Sequence, residues 1–381
     1  MKRLLIIIFP ILILLHIILG IWWLAISWAI IWFIVWVCTT SVSIIVRLRR
    51  KSWLVYPVVM VGSVLAAIIL KTLFFGIYKI PSGSMERTIV PGDVVWVNNL
   101  IYGPRLPYSP YEISWINGLV WLMQGRTGDV QEKWWPYRRL KGYTSPKRGD
   151  ISVFNHPNHN MIFIKRIVAL PGDTLQITDG KVFVNGEEQI RPVKSLYFSK
   201  VEFSNRDVAS TVIDSLQLRF FSTGSYNETP VYSGALFPSQ MEDLRHHPGV
   251  LNSGIDTCRA DTAWTVYPHI EDIDWTIDNY GPYRLPYKGM VIEKNSENLM
   301  LYGQLISQEE EQNKSEDRSD NNGLFTFSND YFFIIGDNFH DSEDSRYFGP
   351  VREDYLIGKA TFILYSPSSK GFFSKIINRL Y

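Results

Sequence analysis

From Leu4 to Val46 the chain is almost uninterrupted apolar sequence, and a second apolar run extends from Trp53 to Leu70. A membrane-spanning helix needs about 20 consecutive apolar residues, so the first run has length for two and the second for one. Two helices over about 4–21 and 23–46, turning near Gly20-Ile21-Trp22-Trp23, put both indoles at an interface, where such rings are favoured. One tilted long helix plus an interfacial segment fits the same composition. Charge favours the hairpin. Lys2-Arg3 before the run and Arg47-Leu48-Arg49-Arg50-Lys51 after it both belong on the cytoplasmic side, which a single crossing does not allow. The run to Leu70 then carries the chain outward, with Lys71 snorkelling at its end. Residues 1–78 therefore read as a membrane anchor of three transmembrane helices, with everything after about Ile77 outside. No small-residue cleavage site interrupts the run, so the anchor is expected to stay uncleaved.

Residues 1–78 hold seven basic and no acidic residues, which leaves the remainder at −6 against a chain total of +1. Basic charge confined to membrane flanks reads as topology, and a mildly acidic remainder argues against nucleic acid as partner. Cys38 lies in an apolar run and Cys258 far beyond it, so a disulfide within the outer part and C-x-x-C sites are both excluded. Past Ser84 the pattern alternates. Val94–Val97, Ile151–Phe154, Met161–Ala169, Thr174–Ile177, Lys181–Val184, Tyr331–Ile335 and Ala360–Tyr365 read as strands, and Asn185-Gly186 as a hairpin turn. Long helical patterns are scarce, so a mainly β fold is expected.

The outer part divides into residues 79–185, a β-rich insertion over 186–330, a return over 331–366, and a basic and aromatic tail over 367–381. Within the first lies a Trp-rich stretch at about 100–147, including Trp115, Trp121, Trp134 and Trp135, whose rings either pack on the sheet or meet the bilayer. The segment from Glu309 to Gly323 reads as a solvated loop, and lacks the terminal acidic ligand of a calcium loop. His156-Pro157-Asn158-His159 has metal-like spacing but falls between two strands, where a polar turn is expected. Neither a metal nor an organic cofactor is implied.

Ile80-Pro81-Ser82-Gly83-Ser84-Met85-Glu86-Arg87-Thr88 follows the last apolar run and places a candidate nucleophile, Ser84, close to a bilayer surface. A serine hydroxyl needs a base to take its proton, and none of the seven histidines has a recognised triad context. A lysine serves only if desolvation lowers its pKa. In a strand over 161–169, alternation sets Met161, Phe163, Lys165, Ile167 and Ala169 on one face, so Lys165 sits in an apolar stripe. On these residues alone, a lysine snorkelling to a sheet edge fits equally well.

Three segments taken together decide between the two. The Ser84 segment, Phe163-Ile164-Lys165-Arg166 with Leu170-Pro171-Gly172-Asp173, and Gly336-Asp337-Asn338 running to Asp344-Ser345-Arg346 resemble the boxes of the type I (leader) signal peptidases, membrane-bound serine proteases with a lysine base. The resemblance covers about 53–98, 148–185 and 330–366, and implies a signal-peptidase-like β fold carrying a large inserted subdomain. It implies Ser84 as nucleophile, Lys165 as neutral general base, and an oxyanion hole from the Ser84 backbone N–H and the Ser82 hydroxyl. Ser342 matches the serine that orients the base, while Asp344, Arg346 and Arg166 would support its loop. Ile80, Pro81, Met85, Phe163 and Ile164 would line shallow pockets for small side chains at the first and third positions before the cut. The implied partners are preprotein signal peptides, the lipid bilayer and the secretion translocon; the implied location is the outer (periplasmic) face of a bacterial cytoplasmic membrane. Two positions depart from the pattern: Arg87 replaces a proline, and Phe339-His340 replaces an Arg-Asp pair. They leave open a specialised or non-catalytic paralogue that binds secretory proteins.

Overall fold

The computed structural model describes residues 74–86, 88–113, 120–123, 134–159, 161–189, 197–218, 220–226, 229–255, 266–270, 273–312, 323–368 and 376–380, with isolated positions between 10 and 73. The chain divides into two compact units, Met1–Lys71 and Thr72–Tyr381. In the first, only scattered helical positions such as Ile11, Leu14, Trp32, Ala66 and Leu70 are described. The expected crossings as continuous segments, Arg87, Trp115, Cys38 and Cys258 lie outside the described residues. Among the described residues no helix is long and apolar enough to cross a membrane.

The second unit is built on an eight-stranded antiparallel sheet. Its strands run in the order Phe75–Lys79, Val94–Asn98, Leu356–Tyr365, Ile151–Asn155, Ile162–Ala169, Tyr331–Ile335 and Val351–Arg352, with Ile376–Arg379 beside Leu356–Tyr365. Alternation accounts for Val94–Asn98, where Val95 and Val97 are buried and their neighbours only half so. The central strand differs: every residue from Ile164 to Ala169 is buried, because both faces of the sheet are covered there. Ile80, Met85, Val95, Val153 and Ile164 cluster on one side; Phe154, Phe163, Ile167, Ile334 and Leu356 form a second cluster. The single apolar stripe expected around Lys165 is thus half the account, and Met161, its first member, is exposed just before the strand begins.

A second antiparallel sheet orders Tyr280–Arg284, Thr174–Thr178, Lys181–Val184 and Glu187–Glu188. Asn185 and Gly186 turn between its last two strands with φ of 53° and 84°, the left-handed pair that a tight hairpin requires. Residues 197–255 make a four-stranded sheet of Val250–Ile255, Tyr197–Phe203, Thr229–Leu236 and Phe220–Tyr226. Helices Arg206–Ser215 and Pro238–Arg245 pack on it around Val201, Phe203, Val212, Leu236 and Leu244. The first helix is capped by Asn205, whose side chain accepts from the Val208 N–H.

Helix Ser296–Gln312 corrects the reading of Glu309–Glu311 as the start of a solvated loop. Glu309 is buried and accepts from the Ser328 N–H, the Asn329 side chain and the Tyr331 hydroxyl, at 2.8, 2.8 and 2.9 Å. The aromatic stretch at 100–147 divides by residue type. Tyr102 and Tyr108 are buried with their hydroxyls on Asp150 and Asp354, whereas Trp121, Trp134, Trp135 and Tyr143 are exposed.

Candidate active site

Ser84 sits at the tip of the loop joining strands Phe75–Lys79 and Val94–Asn98. The base of that loop is clamped by Ile80 N–H to the Asp93 carbonyl (2.9 Å) and Gly92 N–H to the Ile80 carbonyl (2.8 Å). A turn closes when the Glu86 N–H reaches the Gly83 carbonyl at 2.8 Å, and Met85 and Ile89 drive their side chains fully into the core. Ser82 is left exposed and Ser84 half-buried. Lys165 stands opposite Ser152 in the central strand pair and is 3% exposed. Its Nζ lies 2.5 Å from Ser84 Oγ, donating to the hydroxyl across 81 residues of sequence.

Burial pulls the Lys165 pKa down to about 8, because water no longer stabilises the ammonium; Asp344 and Glu343 work against that, Arg346 adds to it, and Asp337 opposes it. A lysine so placed holds a substantial neutral fraction near pH 8, which an exposed lysine does not. The neighbouring Phe163 ring lies 5.2 Å from Nζ.

The loop from Gly336 to Arg346 closes over this pair. Asn338 donates its N–H to the Ser84 carbonyl (3.1 Å) and its side-chain amide to the Gly83 carbonyl (3.2 Å). Asp337 takes Arg166 Nε and Nη2 on its two oxygens at 2.8 and 2.6 Å, and the Thr88 hydroxyl at 2.6 Å. These contacts lie within the Gly336-Asp337-Asn338 segment already singled out, but nothing local to the sequence says that Asp337 and Asn338 reach back to the turn over residues 82–88. A Cβ on Gly336 would stand 2.1 Å from Ser342 Oγ and 2.6 Å from the Ser84 carbonyl, so only glycine admits this approach. Ser342 Oγ is buried without a hydrogen-bond partner among the described residues, so the bond expected between it and Lys165 is not made; the lysine amine is turned on Ser84 instead.

Asp344 and Arg346 are wholly buried and paired on both carboxylate oxygens, at 2.9 and 2.8 Å. Burial would raise the Asp344 carboxyl, but Arg346 and the Gly336 N–H hold it below its usual range. Arg346 also donates to the Phe339 carbonyl at 2.5 Å and lies 3.9 Å from the centre of the Phe339 ring. Phe339 is therefore a fully buried platform for that arginine.

The expected pocket residues separate by exposure. Pro81 is exposed, Phe163 is half-buried, and Ile80 and Ile164 are almost covered. Met85 is 0% exposed, with its sulfur accepting from the Asp337 N–H at 3.4 Å, so it belongs to the core beneath Ser84 and not to an open wall. His156, His159 and Glu343 bring potential ligand atoms within 4.8 Å of one another. The donor set does not fit a metal. His156 Nδ1 accepts from the Asn158 N–H at 3.1 Å, which puts the ring proton on Nε2, the nitrogen facing Glu343 at 3.6 Å. Burial first, then His159 and Lys165, lower the His156 pKa to about 4, so it adds no charge beside the lysine near neutral pH.

A family model described as "Signal peptidase, peptidase S26" matches residues 50–237 and 282–365, well over half of the chain. The match reaches into the inserted subdomain beyond the three boxes. A signal peptidase I of Buchnera aphidicola is 26% identical over 296 residues, 77% of this chain and 71% of its own length. One from Pseudomonas aeruginosa is 32% identical over 153 residues, 38% and 43% of the two chains. A solved signal peptidase I from Enterococcus faecalis aligns over 57% of this chain and 97% of its own, at 17% identity and a TM-score of 0.22, too loose a likeness to weigh.

Proposed function

The chain belongs to the signal peptidase family, peptidase S26, and from that premise we propose that its cleavage chemistry is carried by Ser84 and Lys165. It is a serine endopeptidase that removes signal peptides. The observation that carries the assignment is the 2.5 Å approach of a buried lysine amine to a serine hydroxyl. The neutral amine takes the Ser84 proton as Oγ attacks the scissile carbonyl carbon. The resulting ammonium returns that proton to the leaving amine, and the same lysine then activates the water that hydrolyses the acyl-serine ester. The Ser84 backbone N–H and the Ser82 hydroxyl receive the developing oxyanion, each such donor being worth roughly 3 kcal/mol in comparable sites. Ser342, whose buried hydroxyl has no partner among the described residues, accepts the amine when proton transfer turns it from Ser84. Arg166, Asp344 and Arg346 hold the covering loop.

The substrate adds as an extended strand. Tyr331–Ile335 pairs with the central strand only from Arg166 onward, so residues 162–165 have no strand on that side among the described residues. Ile80, Pro81, Phe163 and Ile164 form shallow walls that suit small side chains at the first and third positions before the cut. Residues 1–78 anchor the enzyme in the bacterial cytoplasmic membrane with the catalytic unit on its outer face. The exposed Trp121, Trp134 and Trp135 meet the lipid surface, and the translocon delivers the preprotein. Phe339 and His340 have well-packed roles, which favours an active enzyme over a non-catalytic paralogue. The test is cleavage of a labelled precursor with an Ala-x-Ala site, in detergent, by wild type beside Ser84→Ala and Lys165→Ala. Processing at the expected bond by wild type alone supports the dyad; processing by Ser84→Ala rejects it.

A further inference from the structure

His340 departs from the family pattern, and its ring is inserted between two distant parts of the chain. Its Nδ1 accepts from the Phe198 N–H at 2.9 Å, which places the ring proton on Nε2, 2.9 Å from Asp278 Oδ1. The Phe198 ring stacks on it at 5.1 Å and 7°. The His340 and Asp278 side chains are only 2% and 1% exposed. Phe198 belongs to the sheet of the inserted subdomain, and its neighbour Tyr197 packs 5.5 Å from Phe339. Two residues before His340, Asn338 holds the Ser84 and Gly83 carbonyls.

Resting on the function proposed above, we propose that the inserted subdomain braces the nucleophile through His340, which acts as a positioning residue for the Gly336–Arg346 loop. The route is short: the first strand of the inserted sheet, Tyr197–Phe203, holds His340, two residues of backbone carry that hold to Asn338, and Asn338 fixes the turn bearing Ser84. The type of contact suits the task. One ring nitrogen accepts and the other donates, so a single side chain is fixed from both ends. A lysine or glutamate could satisfy only one of those partners. The Arg-Asp pair of the family pattern is replaced here by a stacked platform, Phe339 under Arg346, and this buried clasp.

The experiment measures kcat, KM and the pH profile of precursor cleavage for the full-length protein and three variants, with Tm recorded for each. His340→Ala is expected to lower kcat roughly 10- to 100-fold, the scale of a small misplacement at a reacting centre, with KM changed less than threefold. The acid limb of its profile is expected to move to higher pH, since a loosened loop lets water back to Lys165 and restores its proton. His340→Gln, which can still donate to Asp278, is expected to recover most of the loss. Val212→Ala, in the core of the inserted sheet and away from the clasp, is expected to lower Tm while leaving the acid limb in place. A folded His340→Ala with wild-type kcat and acid limb overturns the brace. If that variant does not fold, Phe198→Ala decides: it keeps the backbone donor and loses the stacked ring, and an unchanged profile overturns the proposal. Failure of wild type to cleave the precursor at all rejects the underlying function, a result distinct from either.

Discussion

Lys165 and Arg346 are both cations removed from water, 3% and 0% exposed, and the two regions that hold them differ in what they offer. Around Arg346 the loop supplies a carboxylate on two prongs, the Phe339 carbonyl and an aromatic face. Its guanidinium pKa rises despite burial, because Asp344 outweighs the desolvation. Around Lys165 the surroundings are largely apolar, the Ser84 turn supplies one hydroxyl, and the pKa falls to about 8. Buried charge is tolerated where it is fully paired and destabilising where it is not. The first arrangement makes a rigid strut. The second leaves an amine that can lose its proton near physiological pH.

The largest effect is expected at Lys165. Lys165→Arg keeps a cation in place but one that cannot be deprotonated, so cleavage is expected to fall by at least about 10³-fold in a protein whose circular dichroism is unchanged; substantial activity would show that the amine is not the base. Next is Arg346→Ala, which strands the buried Asp344 carboxylate. A loss of about 3–5 kcal/mol is expected, read as the midpoint of denaturant unfolding, and a neutral result would mean that the pair is not a strut.

The pH dependence sharpens the contrast. The base works deprotonated, so kcat/KM is expected to rise about tenfold per pH unit and level off near pH 8. Stability follows the opposite bookkeeping from a salt-bridged lysine. The folded-state pKa lies below the ordinary value of 10.5, so below about pH 8 the folded protein bears the full cost of a buried ammonium. Lys165→Met is therefore expected to raise Tm by a few degrees at pH 7, with the advantage shrinking as pH climbs from about 8 to 10.5. The smallest expected effect is Glu343→Gln. Glu343 is half exposed and raises the lysine pKa, so its neutralisation moves the acid limb to lower pH by a few tenths; a shift upward would contradict the electrostatic account.

Much of the site was legible because its signals are local. Lys165 reads as a cation in an apolar strand, which a snorkelling lysine fits equally well, and Ser84 as a hydroxyl in a Gly-containing turn just beyond the last apolar run; the resemblance of the three segments is what singles the pair out. Seven strands read from alternation recur within a residue or a few of their observed limits, including Lys181–Val184 and Tyr331–Ile335. Helices Arg206–Ser215 and Ser296–Gln312 were missed because their apolar positions are sparse and their polar residues are partly buried, Glu309 above all. Met85 was read as a pocket wall because adjacency to Ser84 in sequence says nothing of the direction its side chain takes.

By itself the sequence determined the β character of the residues beyond Ser84, the candidates Ser84 and Lys165, and, through their resemblance to known boxes, the segments that carry them. Periodicity and side-chain chemistry are written residue by residue, so they survive without coordinates. Only the tertiary structure decided that Lys165 meets Ser84, that Asn338 holds the Ser84 turn, that Ser342 has no hydrogen-bond partner among the described residues, and that His340 is clasped by Phe198 and Asp278. Those contacts join residues up to 255 apart. The hydrogen bonds among them form because burial makes an unpartnered polar group costly, and which partner each group finds is a property of the packed fold.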